Sequence, residues 1–295
     1  MKERLITTAE LAALESESTN AHRFWTGPDA WVERFGADFL ISAKDDGLSV
    51  ASALPQWLGA LGLEAARIFA RRLVKQPRED HKPEQLAGAE LPLQTVVSER
   101  GLKIGIDFSG GYSVGLFCDQ RANRAHLEEL RPRRVLNCFA YTCAFSVAAA
   151  RAGAETVSLD LSRRSLDRGR ENFLLNDLTL DGHRFIADDV FSVLPRLARQ
   201  GEAFDAIILD PPTFSRGEKG RVFRAERDFG ELLEQAKAVA KRGAQILMST
   251  NSRDLNVHAL KAIARRGRAV AVPPPPEYPP GAASSTLWVE ADSGR

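Results

Sequence analysis

Long hydrophobic runs are missing from this chain. No stretch of its 295 residues approaches the roughly twenty uninterrupted apolar positions that a membrane-spanning helix needs. The first residues, MKERLITTAELAALESES, hold no apolar core of the kind a secretory signal carries. Cysteine is scarce too: Cys118, Cys138 and Cys143 cannot all pair with one another, so free thiols in a reducing compartment, the cytoplasm, are expected. Charge of one sign is absent, because 40 lysines and arginines face 39 acids for a net charge of +1. The whole-molecule field therefore neither points to nor excludes a nucleic acid, and local clusters must carry that question. Also absent is the G-x-G-x-x-G that lets a backbone approach a pyrophosphate, which disfavours a dinucleotide and, with it, a nicotinamide oxidoreductase. Gly217-Glu218-Lys219-Gly220 is no phosphate loop either, since the preceding strand and the Gly-Lys-Ser/Thr order are lacking. No metal site is expected.

What is present centres on Val135 to Asp160, VLNCFAYTCAFSVAAARAGAETVSLD. An apolar run, a loop of small and aromatic residues, an alanine-rich helical pattern and a second apolar run make a strand-loop-helix-strand unit. Its two strands must be parallel, because a crossover helix joins them. Further apolar runs at 184 to 187, 205 to 210, 244 to 249 and 269 to 272 alternate with helical patterns over Thr142 to Ala152, Ser162 to Asn176, Val190 to Arg199, Glu226 to Lys241 and Asp254 to Arg266. Such alternation predicts an α/β fold with a doubly wound, Rossmann-like sheet. Ser285 to Glu290 follows no crossover helix and is expected as an antiparallel last strand, hairpinned onto the one before it. Pro273 to Pro276 reads as a rigid spacer.

Residues 1 to 94 are expected to form a small α+β extension with a linker, residues 95 to 130 a β-hairpin arm and a lead-in helix, and residues 131 to 295 the catalytic domain. Within the extension, Leu5 to Leu14 reads as a short helix, Trp25 to Trp31 as a turn flanked by aromatics, Phe39 to Val50 as a hairpin around Asp46-Gly47, and Leu58 to Leu73 as a helix. Lys75 to Asp80 opens the linker.

Acids stand where the predicted strands end. Open α/β sheets bind ligands at the carboxyl ends of their strands, with a carboxylate about twenty residues past the first strand for the ribose hydroxyls; here that acid is Asp160. The loop Asn137-Cys138-Phe139-Ala140-Tyr141-Thr142 opens a helix whose amides suit an anion. Of Asp188 and Asp189, one can cap the next helix and the other can accept from an adenine amino group; Asp189 is taken for the second task, with Val190 and Phe191 against the ring. Asp210-Pro211-Pro212-Thr213-Phe214 closes an apolar strand with a stiffened loop that lacks two amide donors and leaves carbonyls to accept. Ser215 to Arg227, with five basic residues around Phe223, can hold phosphate and stack a base, although such a run also suits a solvated loop.

Taken in order, GYSVGLFCDQR, VLNCFAYTCAFSVAAARAGA, SLDLS, ADDVF and LDPPTFS resemble the class I S-adenosylmethionine-dependent methyltransferases of large-subunit ribosomal RNA. The likeness is greatest to the guanine-N7 half of the bacterial bifunctional enzyme, then to its cytosine-C5 relatives, and spans roughly residues 70 to 290. It implies S-adenosylmethionine as cofactor and RNA as partner. It implies that Asn137, Phe139, Tyr141, Thr142, Asp160 and Leu161 hold the methionine and ribose, that Asp189 and Val190 meet the adenine, and that Gln120 and Arg121 close over the methionine end. Asp210 and its prolines would face the transferred methyl. Cys143 stands where the family usually has glycine, and the amino-terminal segment does not match the RNA-binding module of the cytosine enzymes.

Cytosine C5 needs a cysteine thiolate to add to the ring. The resemblance puts that cysteine after the fifth strand, ILMSTNS, where this chain has Asn251. Guanine N7 offers a lone pair and needs only positioning; Asn251 can read a base edge and Phe214 can stack on the ring, so Asp210, Phe214 and Asn251 form the expected catalytic set. Exocyclic amines come third, because Thr213 separates the prolines from the aromatic. A non-RNA substrate, and an RNA-binding assembly factor that has lost catalysis, are the competing readings.

Overall fold

The computed structural model describes residues 3–73, 82–111, 113–216, 222–252, 254–265 and 267–291, so the expected linker at Lys75 to Asp80 and the middle of the basic stretch lie outside the described residues. The chain divides into two compact units, residues 1–121 with 275–282, and residues 122–274 with 283–295. This division falls at Arg121, within what the sequence suggested as one arm and lead-in helix.

The first unit carries a sheet ordered β1 to β6: β1 (Arg4–Leu5), β2 (Ala21–Thr26), β3 (Ala30–Phe35), β4 (Asp38–Ala43), β5 (Arg67–Arg72) and β6 (Glu84–Gly88). Helix α1 (Thr8–Ser16) starts at a capping box of Thr7 and Glu10, and α2 (Leu48–Ala60) crosses over between the parallel pair β4 and β5. Two expectations are corrected here. Phe39 to Val50 is not a hairpin: the positive φ that Gly47 supplies (72°) opens α2, with Asp45 Oδ1 accepting from Gly47 N and Asp46 Oδ1 from Leu48 N. Leu58 to Leu73 is not one helix, because α2 stops at Ala60 and RIFARR becomes a buried strand. Its arginines hide the strand pattern; Arg67 reaches the core edge only because Asp38 takes its guanidinium in two bonds, at 2.8 and 2.6 Å. The hairpin of β7 (Gln94–Glu99) and β8 (Leu102–Asp107) forms as the sequence suggested.

The polyproline segment does more than space. Residues 275–282 belong to the first unit, where Glu277 grips both terminal nitrogens of Arg121 at 2.6 and 2.9 Å. Beside it, buried Tyr278 lies under the Arg23 guanidinium, 4.6 Å from the ring centre.

In the second unit, α3 (Arg121–Leu130) leads into β9 (Arg134–Cys138), α4 (Ala144–Arg151), β10 (Glu155–Asp160), α5 (Arg163–Leu175), β11 (His183–Ala187), α6 (Val190–Arg199), β12 (Phe204–Leu209), the short hairpin β13 (Phe214–Arg216) and β14 (Val222–Arg224), α7 (Ala225–Lys237), β15 (Ala240–Thr250), α8 (Val257–Ala264), β16 (Ala269–Val270) and β17 (Ser285–Glu290). The main sheet is ordered β11-β10-β9-β12-β15-β17-β16. Its first five strands are parallel, and β17 runs antiparallel to both β15 and β16, as expected of the last strand. Helices cover both faces, which is why β9 and β12 read as unbroken apolar runs. The chain winds outward from β9 in one direction to β11 and, after α6, in the other direction to β15. The β9–β12 boundary is therefore the switch point where such sheets open a crevice.

Candidate active site

Strand register decides what meets at the crevice. Cys138 pairs with Leu159 and with Leu209, and Leu209 pairs with Met248, so these strand ends form one row. Phe139, Asp160, Asp210 and Ser249 follow that row directly, and Asp188 comes two residues after Ile186, the partner of Leu159 in β11. β15 runs two residues further, to Thr250, before Asn251 emerges, exposed.

The loop after β9 is held in an uncommon conformation. Phe139, Tyr141 and Cys143 all have positive φ, at 59°, 48° and 61°, with no glycine among them. Bonds from both sides maintain it: Ala140 N donates to Leu159 O at 3.0 Å, Tyr141 N to Asp160 Oδ2 at 2.9 Å, and Asn172 Nδ2 to Thr142 O at 2.8 Å. Asn137, expected to touch a ligand, spends its amide below the loop, where Nδ2 donates to Ser146 Oγ at 2.9 Å and Ser146 meets Ser158 at 2.8 Å.

Asp160 is the electrostatic centre of this edge. Burial pushes its carboxyl above the usual range, and backbone amides of Ser162, Tyr141 and Leu161 offset only part of that rise. Its visible partners are amides, with Oδ1 accepting from Ser162 N at 2.8 Å, while Ser162 Oγ separately caps α5. The cap that would explain an acid here is thus supplied by another residue. Leu161 is exposed beside it.

Asp189 turns out to be the cap of α6, its Oδ1 accepting from Phe191 N at 2.8 Å. Asp188 is engaged at both oxygens, by Asp189 N at 2.8 Å and by Arg196 at 3.4 Å. Asp189 Oδ2 has no hydrogen-bond partner among the described residues, so the residue can cap with one oxygen and accept from a ligand with the other. Val190 is buried next to it and Phe191 half-buried. A carboxylate for vicinal hydroxyls, a spare acceptor for an amino group and apolar flanks suit an adenosyl moiety.

Phe223 is not the stacking aromatic of the basic stretch: it is 3% exposed and packs on Phe139 and Phe191, with ring centres 6.1 and 5.7 Å away. Phe214, four residues after Asp210, is the exposed aromatic of this stretch instead, at 49%. Gln120 and Arg121 lie in the first unit, where both are buried and Arg121 is bound by Glu277.

Two residues take a part here that the sequence did not suggest. Thr213 Oγ1 donates to Asn251 Oδ1 at 2.6 Å, tying the loop after β12 to the loop after β15. Gly169, in the middle of α5, leaves the notch that Cys143 fills: a Cβ there would sit 2.4 Å from the Cys143 sulfur. An isolated glycine inside a helical pattern was the available signal. Gly169→Ala is expected to lower stability by about 1–2 kcal/mol, overpacking outweighing the gain in helix propensity. Adding Cys143→Gly should recover most of that loss, and denaturant unfolding of the four members of this cycle measures the coupling. Additive effects would show that the two residues do not share the space.

The family model for S-adenosylmethionine-dependent methyltransferases matches residues 47–283. A Bacillus subtilis (strain 168) protein named as a candidate ribosomal RNA large subunit methyltransferase, YwbD, is 38% identical over 256 residues, which is 83% of this chain and 64% of that one. Ribosomal RNA large subunit methyltransferase I of Enterobacter sp. (strain 638) is 35% identical over 199 residues, 63% of this chain and 48% of its own length. The chain thus spans about half to just under two thirds of these relatives. Among solved structures, SMU.776, a candidate methyltransferase complexed with SAH, superposes with a TM-score of 0.82 at 23% identity, covering 96% of this chain and 79% of that one, which speaks to the fold.

Proposed function

The chain belongs to the S-adenosylmethionine-dependent methyltransferase family, and from that premise we propose that it methylates RNA, at N7 of a guanine in large-subunit ribosomal RNA. The bound cofactor supplies an electrophilic methyl on a sulfonium. Asp160 would hold the ribose hydroxyls, Asp189 Oδ2 the adenine amino group with Val190 beside the ring, and the amides of the loop from Phe139 to Thr142 the amino-acid tail. Support for an RNA substrate comes from the names of the relatives, a candidate ribosomal RNA large subunit methyltransferase and ribosomal RNA large subunit methyltransferase I. A ribosomal substrate also implies work in the cytoplasm.

The observation that carries the choice of base is the Thr213–Asn251 bond. With Oδ1 accepting from the Thr213 hydroxyl, Asn251 offers its Nδ2 as a donor, which suits the O6 acceptor of guanine, leaves the N7 lone pair free to react, and opposes the exocyclic amines of adenine and cytosine. Covalent chemistry at cytosine C5 finds no nucleophile: Cys118, Cys138 and Cys143 are buried, none lies after β12 or β15, and burial pushes the Cys143 thiol up to about 12. Loss of catalysis was thinkable because of Cys143, and the notch that Gly169 leaves for its sulfur supports the active reading.

The test is mass spectrometry of nucleosides from rRNA methylated in vitro, followed by variant kinetics. We expect 7-methylguanosine. Asn251→Ala should lower kcat roughly 10- to 30-fold and Thr213→Val about 5-fold, with Thr213→Ser near wild type, the scale of one hydrogen bond to a substrate. A methyl on an exocyclic amine would refute the reading of the base, and absence of methyl transfer to any rRNA would refute the RNA reading.

A further inference from the structure

We infer that the hairpin β13–β14 is a docking strip for single-stranded RNA next to the target base, with Phe214 as its stacking ring and Arg224 as its phosphate contact. The inference rests on the RNA reading above and assigns Arg224 a task that nothing else in the site requires.

Cross-strand register carries the argument. Phe214 pairs with Arg224, Ser215 with Phe223 and Arg216 with Val222. Side chains of opposed residues in an antiparallel pair leave from the same face, and successive residues alternate faces. Phe223 enters the core with Phe139 and Phe191, so one face of the hairpin is committed to the protein. Phe214 and Arg224 therefore share the other face, and both are exposed. Their Cβ atoms should stand about 5 Å apart, as opposed residues do. A ring and a guanidinium at that spacing can engage the base and the phosphate of one nucleotide.

Local preference does not account for either residue. Arg224 occupies the cap position of α7, where Ser, Thr, Asp or Asn would bond a free amide and where the helix dipole disfavours a cation. No side-chain cap bond forms, and its backbone N donates to Asp228 Oδ2 at 2.8 Å instead. The guanidinium of Arg224 has no hydrogen bond and no ion pair among the described residues. Its neighbour Arg227 is spent on Asp228 and on Val222 O. Glu226, the acid that feels the Arg224 charge, is bound by the Ser252 hydroxyl. An aromatic with sequence-tolerant stacking beside an uncommitted cation matches what single-stranded RNA offers, a series of π faces on a polyanion.

The test is binding of a fluorescein-labelled, mixed-sequence single-stranded RNA 12-mer to the full chain at several KCl concentrations, with SAH titrated in parallel. Arg224→Gln should reduce the slope of log K against log salt by about 0.7, the increment for one phosphate on a single strand. Phe214→Ala should weaken binding roughly 10-fold without changing the slope. Arg199→Gln, an exposed charge at the far end of α6, should change neither, and all three should bind SAH as wild type does. An unchanged slope for Arg224→Gln, or the same reduction for Arg199→Gln, would overturn the assignment while leaving the methyltransferase reading intact. Failure of the wild type to bind any RNA would remove both the assignment and the RNA substrate.

Discussion

Asp210→Ala is expected to lower single-turnover methyl transfer by about 10² to 10³-fold while leaving the fold and the affinity for SAH within a few-fold of wild type. The magnitude is that of removing one preorganised electrostatic group from an active site. Asp210 follows Leu209, whose register with Cys138 and Met248 places it at the middle of the crevice. Pro211 and Pro212 fix the exit and cannot donate hydrogen bonds, so this corner presents negative and carbonyl oxygens. On the proposed reading, transfer to N7 would form the N–C bond with the base's lone pair and break the C–S bond, whose electrons would stay on sulfur. Positive charge would pass from the sulfonium to the base, and no proton would leave. A carboxylate beside that path would stabilise a cation throughout and need not act as a base. Asp210→Asn keeps the shape without the charge and should fall between the two. Full activity of Asp210→Ala would reduce the motif to a turn.

The second unit was legible because its strands are buried on both faces and end together. Apolar runs such as IILD announce such strands without ambiguity of face, and acids at the ends of β10, β11 and β12 mark the crevice edge. The first unit was harder for two physical reasons. A glycine with positive φ serves equally as a hairpin centre or as a helix lead-in, and Gly47 is the latter. Buried arginines break the apolar pattern of β5, and their partners Asp38 and Glu33 lie far away in sequence. The residues that refine the site were hidden for a similar reason. Thr213 and Asn251 are 38 residues apart, and only the pairing of β12 with β15 brings their loops together. Which of Phe214 and Phe223 faces outward depends on the parity of two three-residue strands, which the basic composition of that stretch cannot convey.

Asp160→Ala is expected to weaken SAH binding by at least about 10²-fold, the loss of two charge-assisted hydrogen bonds to ribose hydroxyls. Calorimetric titration measures it, and near-normal affinity would remove the ribose role. The stability of the variants carries a second, independent signature of the buried carboxylate. Burial raises the Asp160 carboxyl above its unfolded value of 3.8. For an acid whose folded pKa is raised, the native state binds the proton more readily than the unfolded chain, so stability declines as pH rises from the unfolded towards the folded pKa. At neutral pH the ionised carboxylate is thus a burden on the fold, borne although it accepts from Tyr141 N and Ser162 N. Asp160→Asn retains an acceptor for one of these amides and carries no charge. Its melting temperature should therefore gain on wild type as pH rises above the unfolded value of 3.8, even as its affinity for SAH falls. Cofactor binding should follow the same titration from the other side, weakening in acid from above the ordinary carboxylate range, because only the ionised form presents both oxygens as acceptors.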